Sequence, residues 1–510
     1  MAVHLEPLPA VADLVPAEVA NQLRDLPGMA LLESARAGRN ARWSYLTADP
    51  VAVLDRPADG PDPFVEARRL VGRLDEAPLP AGGPPAPPFG GGLVGYLGYD
   101  LGGRLERLPT RAAADQSLPD LRLALHDWVV AWDHRTGIAW LAGRSVDGDA
   151  MGMEARLAEI RGRLAGLSGG GAGAARVPAA GRPEQGLIAA AGRHEAPRSL
   201  GALDEPGLPT GAWSGAGLGA PAGTLPLRFE SGLDRTAWIA KVETLREVIA
   251  RGQLYQANLS RRLSAPYEAD PWPVYRRLRA GDPARFSAFI ALGRGEPGGG
   301  IRALISASPE PFLAVTRDGL VTTDPIKGTR ARGLDPDEER ILARQLLTSA
   351  KDRAENMMIV DVLRNDLGRV CRPGSVRVPR LCRLERTGAV LHLVSTISGR
   401  LLPGRDPFHL LAAAFPGGSV TGAPKIRAME LIDELEPVRR GPYTGAAGWI
   451  GPDGAMATSV LIRTFVADGR RLTLHVGGGI TWRSDPIEEW EETRAKARGP
   501  LAAIDGRETA

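Results

Sequence analysis

Cysteine is almost absent from this chain of 510 residues, which has only Cys371 and Cys382. They lie in RVCRPG and RLCRLE, without CxxC spacing or a glycine elbow, which argues against a disulfide framework, a zinc site and a thiol nucleophile. No uninterrupted apolar stretch is long enough to span a bilayer, and the opening MAVHLEPLPAVADLVPAEVA has no basic segment before an apolar run. A cytoplasmic protein without membrane attachment is expected. Neither sign of charge dominates: 63 basic and 60 acidic residues leave a net +3, with no concentrated basic footprint for nucleic acid. The expected ligand is a small molecule. Lysine is scarce too, with Lys241, Lys327, Lys351, Lys425 and Lys496 the only five among the 63 basic residues. In a chain so biased toward arginine, a retained lysine marks a position that can require a primary amine able to lose its proton, because guanidinium stays charged.

What is present is ordinary globular material, 43% hydrophobic and 24% charged, long enough for two or three domains or one large one. Residues 1–166 read as short apolar runs broken by Gly and Pro: ALLES, FGGGLVGYLGYDL and LRLALHDWVVAWD, the last two as strands. Residues 167–227 collapse into Gly, Ala, Pro and Ser, a composition too poor in apolar surface to offset its ordering entropy, so a flexible insertion is expected there. Order returns over 228–500, with residues 501–510 as a tail. Trp238, Val242, Leu245, Val248 and Ile249 recur at helical spacing, helical patterns follow near Glu338, Lys351 and His409, and GAAGWIG, ATSVLIRTFV and RLTLHVGGGI read as strands. Strands outnumber short helical crossovers, which predicts an α+β fold with largely antiparallel sheets.

The last helix has a clear start: Asp485 can cap it, Pro486 suits its first turn, and Glu488 stands where a capping box needs it. Along it Glu489, Glu492 and Lys496 share one face, and Asp352 and Glu355 repeat the three-residue spacing in SAKDRAENMMIVDVLRNDLG. Two such faces could share a Mg²⁺ ion, a hard cation that takes one or two protein carboxylates. The same spacing is also what solvated acidic faces show. Glycines in LTLHVGGGI and FPGGSVTGAPKIRAME let backbone N–H groups approach an anion. TGAPK does not fit the phosphate-loop pattern and no dinucleotide fingerprint is complete, which disfavours a nucleotide-binding protein.

From about Asp234 to Arg498 the chain resembles the chorismate-utilising enzymes, the synthase subunits of anthranilate and aminodeoxychorismate synthase together with isochorismate and salicylate synthases. SPEPF, DPIKGTRARG, KDRAENMMIVDVLRNDLGRV, HLVSTISG, FPGGSVTGAPKIRAMELI, ATSVLIRTF and GGGITWRSDPIEEWEETRAKA occur in the family's order. The resemblance implies two large, mainly antiparallel sheets packed together and flanked by helices. It implies Mg²⁺ on Glu355 and Glu492, with Asp352 and Glu489 in support, and Glu310 as the acid that protonates a departing hydroxyl. Gln256, Thr329, His392, Thr421, Tyr443, Arg463, Gly477, Gly479 and Lys496 match positions around chorismate, Arg463 being suited to a carboxylate because guanidinium binds one in a fork. Over residues 1–166 the resemblance is weaker; there ALLES implies a possible tryptophan pocket at Ser34.

Two positions separate the family's reactions. Relatives that add water use a lysine where this chain has Gln256, so an ammonia nucleophile is expected instead. Anthranilate synthases generally read PIAGT where this chain reads PIKGT, so Lys327 points to the aminodeoxychorismate branch, which serves 4-aminobenzoate and folate synthesis; anthranilate formation is the alternative. Because the chain lacks a glutaminase cysteine, the branch implies ammonia from a separate glutamine amidotransferase subunit and a downstream aminodeoxychorismate lyase.

Overall fold

The structure, a computed structural model, describes residues 2–36, 41–80, 85–168, 226–295, 299–333, 335–387 and 390–509. The insertion expected over 167–227 lies almost wholly outside the described residues. Among them the strands form two sheets. The first runs Val3–Pro7, Ile138–Arg144, Trp128–Asp133, Trp43–Thr47, Ala30–Glu33, Phe286–Arg294, Ile301–Ser308, Thr464–Asp468, Arg471–Ile480, Gln256–Pro266, Arg228–Ser231 and Arg507–Glu508. The second runs Ile326–Ala331, Val390–Arg400, Leu320–Thr323, Pro311–Val315, Met456–Val460, Ala446–Ile450, Gly92–Leu97, Leu121–His126 and Ala52–Leu54, with Arg377–Thr387 beside Val390–Arg400. The pairings are antiparallel except that of Arg507–Glu508 with Arg228–Ser231. The expected α+β architecture is thus observed.

Where the sheets are covered on both faces, strands such as Gly92–Leu97 and Trp128–Asp133 read as apolar runs rather than strict alternation, whereas Ile326–Ala331 and Arg377–Thr387 at the end of the second sheet are more exposed. Tyr45, Val129 and Trp140 of the first sheet meet Val94 and Trp449 of the second, and Ile290, Leu304 and Val466 meet Tyr96 and Ala447. Helices Ala150–Ala165, Trp272–Gly281 and Pro486–Ala503 cover the first sheet's other face. Ala350–Gly368 and Pro407–Ala414 cover the second. Residues before 150 supply strands to both sheets, Ala30–Glu33 pairing with Phe286–Arg294 and Gly92–Leu97 with Ala446–Ile450. The segment expected as a tail is structured: the terminal helix continues to Ala503, and Arg507–Glu508 extends the sheet edge.

The chain changes sheets at tight corners, a device of packed sheets. One corner follows Ser308 and carries Glu310; another follows Val460 and carries Arg463 in the left-handed region, at φ 49°. These corners adjoin. Val460 N–H donates to Glu310 O at 3.0 Å, and Ala307 N–H donates to Arg463 O at 3.0 Å. Two residues far apart in sequence are thereby placed at one seam.

Arg440, only 2% exposed, donates to both carboxylate oxygens of buried Glu436 at 2.9 and 2.7 Å, and to the carbonyls of Val420 and Asn258. This pair ties the loop after helix Lys425–Leu435 to strand Gln256–Pro266. Arg440→Met leaves the buried Glu436 charge without its cation, held only by the Ser260 N–H and hydroxyl, so chemical denaturation should show a loss of about 3–5 kcal/mol. An unchanged midpoint would contradict that role.

Candidate active site

Lys327 stands second in strand Ile326–Ala331, at the rim of the second sheet, beneath helix Ala350–Gly368. That helix starts at Ser349, whose hydroxyl accepts from Asp352 N–H, and its inward face carries Asn356, Ile359, Val360 and Leu363. Glu355 is therefore turned toward the strand carrying Lys327. From the other sheet comes helix Pro486–Ala503, capped by Asp485, whose carboxylate accepts from Ile487 and Glu488 N–H as expected. It lays Glu489, Glu492 and Lys496 over Gly478: a Cβ there would stand 3.1 Å from Glu489 Oε2, 3.5 Å from Glu492 Oε1 and 3.8 Å from Lys496 Nζ. A side chain there would press on Glu489, while its contacts with Glu492 and Lys496 would be ordinary ones. Lys496 Nζ donates to Glu492 Oε1 at 2.6 Å and to Gly477 O at 2.9 Å.

These charges act on one another. The Lys327 amine is held below the usual lysine range, first by burial of the charged form and further by Lys496, against the opposing carboxylates of Glu355, Glu310 and Glu492. Glu310, 7% exposed, is shifted the other way: burial raises its carboxyl, while Lys327, the Ser419 hydroxyl and Ile326 N–H pull it down. The two shifts are opposed, each moving its group toward the uncharged form. Glu355 is raised by burial, with Asp352 and Glu492 adding to the effect and Lys327 and Lys351 opposing it. Its Oε1 is buried without a hydrogen-bond partner.

That orphaned oxygen fits a cation, and Glu492, whose Oε1 pairs with Lys496, is a second carboxylate within its field. Among the described residues no three metal-ligating side chains form a complete cage. Two carboxylates with the remaining positions left to water and substrate are what Mg²⁺ accepts. Glu489 is buried and accepts from the Ser484 hydroxyl, whereas the Asp352 carboxylate is taken by Arg330 at 2.9 Å.

Beside this cluster opens a cleft of about 450 Å³ lined by Arg36, Arg285, Pro309, Ile326, His392 and Arg463 among others. Pro309 and Ile326 are the chain neighbours of Glu310 and Lys327, so the cleft adjoins the acid and the amine. His392 sits opposite Thr329 in the strand register, with Nδ1 3.0 Å from Thr329 Oγ1. Burial, with Arg285 and Arg463, pushes its imidazole down to about 4, so it is neutral near pH 7. Arg36, Arg285 and Arg463 thus surround a neutral imidazole, with Glu385, also in the lining, paired to Arg285 at 3.2 Å and Asp282 3.6 Å from Arg463.

The remaining residues named from sequence lie along strand Gln256–Pro266 and its partners. Gln256 is buried, its Oε1 unpartnered, with its amide against Gly479. The Thr421 hydroxyl is engaged by Gly417 O at 3.0 Å, and Tyr443 stacks on His475 at 4.9 Å and 17°. Ser34 is distant in role: its hydroxyl donates to Trp43 O and its N–H to Ser44 Oγ, both at 3.0 Å, beside a buried Glu33 held by Arg279 and Tyr275. Ser419, Arg36 and Arg285 were missed by sequence reading. Ser419 lies inside a glycine motif and could have been found there; the two arginines carry no local signal among so many.

An antiparallel two-sheet fold with buried carboxylates, an amine and an arginine-lined cleft defines an enzyme acting on a small carboxylated substrate. The chorismate binding enzyme family matches residues 35–502, and the chain belongs to that family. It is 40% identical over 490 residues to anthranilate synthase component 1 of Streptomyces coelicolor, covering 94% of this chain and 84% of the relative. It is 38% identical over 475 residues to aminodeoxychorismate synthase component 1 of Salmonella typhimurium, covering 91% and 90%. The crystal structure of anthranilate synthase component I from Streptococcus pneumoniae superposes with a TM-score of 0.69 at 28% identity, over 91% of this chain and 93% of that one.

Proposed function

We propose that this chain is the synthase subunit of an aminodeoxychorismate synthase, converting chorismate and ammonia to 4-amino-4-deoxychorismate. The observation that carries this reading is the Lys327 amine, its charge disfavoured by burial, held within the field of the buried acid Glu310. The neutral amine adds at ring carbon 2 as the carbon-4 hydroxyl departs with the Glu310 proton, leaving as water. Ammonia then adds at carbon 4, the double bond shifts back, and the carbon–nitrogen bond to Lys327 breaks. A surplus proton on the incoming nitrogen returns to Glu310. Two allylic displacements bring nitrogen to carbon 4, which one could not.

Arg463 and the neighbouring cleft arginines suit the enolpyruvyl carboxylate. Mg²⁺ on Glu355 and Glu492 would anchor the ring carboxylate and neutralise its charge. Gln256, lacking a basic atom, does not activate water. Ammonia is supplied by a separate glutamine amidotransferase subunit, and a lyase acts on the product.

If Glu355 and Glu492 share Mg²⁺, the ion should raise the melting temperature of the wild type, since it binds only the folded chain. Glu355→Gln and Glu492→Gln should each need at least about tenfold more Mg²⁺ for the same shift. Unchanged Mg²⁺ titrations in both variants would remove the assignment.

Anthranilate formation is the second reading, favoured by the 40% identity to the Streptomyces coelicolor enzyme. Product analysis with chorismate, Mg²⁺ and ammonium salt separates the two. The aminodeoxychorismate reading requires an aminated product that keeps its enolpyruvyl group; anthranilate with one pyruvate per turnover would replace it.

A further inference from the structure

Lys425, one of the five lysines, has no part in the site described above, yet it is largely buried and engaged. It opens helix Lys425–Leu435, which packs on Ala257 and Leu259 of the first sheet. Its Nζ reaches back across the seam to the helices of the second sheet, donating to Asp366 Oδ2 at 2.8 Å and to Ala414 O at 3.0 Å. Both acceptors need such a partner. Asp366 is a buried carboxylate in the last turn of helix Ala350–Gly368, where burial and the helix dipole oppose its charge; Lys425 is its main cation and Arg369 a weaker one. Ala414 O ends helix Pro407–Ala414, where no further turn supplies a donor. Carboxylate and carbonyl converge on one nitrogen, which suits a compact ammonium better than a planar guanidinium fork.

Between the two ends of this clamp lies the segment Phe415–Pro424, by which the chain crosses from one sheet to the other. On the first-sheet side Gly422 and Ala423 pair with Ala257 and Gln256, and Val420 O accepts from Arg440. On the second-sheet side the backbone lies so close that a Cβ at Gly418 would stand 2.7 Å from Val362 Cγ1, and one at Gly417 3.2 Å from the Phe312 ring. Ser419 stands between these supports, its carbonyl held by Asn258 Nδ2 at 3.2 Å and its hydroxyl donating to the Glu310 carboxylate, on which Lys327 and Ile326 N–H also act. The aim of that hydroxyl depends on how the crossing is held at both ends.

We propose that Lys425 is a positioning residue for the proton transfer at Glu310: by pinning Ala414 and Asp366 to the start of the next helix, it closes the crossing segment and keeps the Ser419 hydroxyl on the carboxylate. The inference rests on the proposed role of Glu310 as the acid. The hydroxyl stabilises the carboxylate that appears as the proton leaves, an interaction stronger in the transition state than before it, so its loss lowers kcat and leaves chorismate binding nearly unchanged. Lys425 is engaged elsewhere and acts on Glu310 through that contact.

The test uses the full chain with chorismate, Mg²⁺ and saturating ammonia. Removing Lys425 alone strands a buried carboxylate, so the pair is replaced together, Lys425→Met with Asp366→Leu, which removes both charges. Its kcat should fall by about tenfold, the worth of one hydrogen bond to a charged group, with the chorismate KM within about twofold of wild type. Its kcat/KM profile should move the same limb, in the same direction, as Ser419→Ala. Asp366→Asn, which keeps an acceptor for Nζ and weakens the clamp, should give a smaller change of the same kind, and it carries the test if the double replacement does not fold. Added to Ser419→Ala, either replacement should cost little more, since both act through one hydroxyl. Additive losses, or a limb that stays fixed where Ser419→Ala moves it, would reduce Lys425 to a support of the fold and overturn the proposal. A profile that Ser419→Ala itself leaves unchanged would instead remove the role of Glu310 on which the proposal rests.

Discussion

Lys327→Arg should lower turnover by on the order of 10³–10⁴-fold with the fold intact, because arginine keeps a cation in place and removes the nucleophile. In the proposed reaction the amine acts uncharged, and burial and Lys496 oppose its proton more than its carboxylate neighbours favour it. Guanidinium never reaches the neutral state. Lys327→Ala separates nucleophile from space: it leaves room for ammonia near carbon 2 and should give slow, misdirected amination that includes anthranilate. Intact-protein mass spectrometry of the wild type with chorismate and Mg²⁺, without ammonia, should show an adduct that peptide mapping places on Lys327. The covalent role fails if no adduct is trapped and Lys327→Ala forms aminodeoxychorismate at the wild-type rate.

Glu310→Gln should cost about 10²–10⁴-fold in kcat, the usual worth of a placed general acid, with a small change in KM. The pH profile carries the finer test. Lys327 must be deprotonated and Glu310 protonated, so kcat/KM has two limbs set by these groups, one shifted below a free lysine and the other above an ordinary glutamate. Ser419→Ala removes a hydrogen bond that favours the carboxylate and should move one limb to higher pH. If both limbs stay fixed in Ser419→Ala, another group supplies the proton.

Much of the local structure was legible because the relevant forces are local. The Asp485 cap, the helical spacing of Trp238, Val242, Leu245 and Ile249, and the strand runs around Leu93, Leu123 and Leu474 all occur where expected. The carboxylate helices were legible as well, since three-residue spacing sets a face whatever that face meets. Asp352 was not: on spacing it matched Glu355, but Arg330, from the neighbouring strand, takes its carboxylate. The pairing at the end of the chain was not legible for a similar reason. A short polar segment such as Arg507–Glu508 becomes a strand only because the edge at Arg228 and Phe229 is there to pair with it.

By itself, then, the sequence determined which groups are available and in what local geometry: an amine at Lys327, acids at Glu310, Glu355 and Glu492, and glycines at Gly477, Gly478 and Gly479 where side chains would crowd the helix and strand beside them. Only the tertiary structure decided their chemical state. Lys327 lies on one sheet, Lys496 on a helix packed on the other, and Glu310 at a corner between them. Burial and charge at a distance of a few ångströms depend on how sheets close over a seam, and no spacing along the chain encodes that enclosure. The arginine-lined cleft was likewise decided in three dimensions, because Arg36, Arg285 and Arg463, far apart in sequence, come together where strands Ala30–Glu33, Phe286–Arg294 and Thr464–Asp468 line up in the first sheet, and the second sheet adds Ile326 and His392.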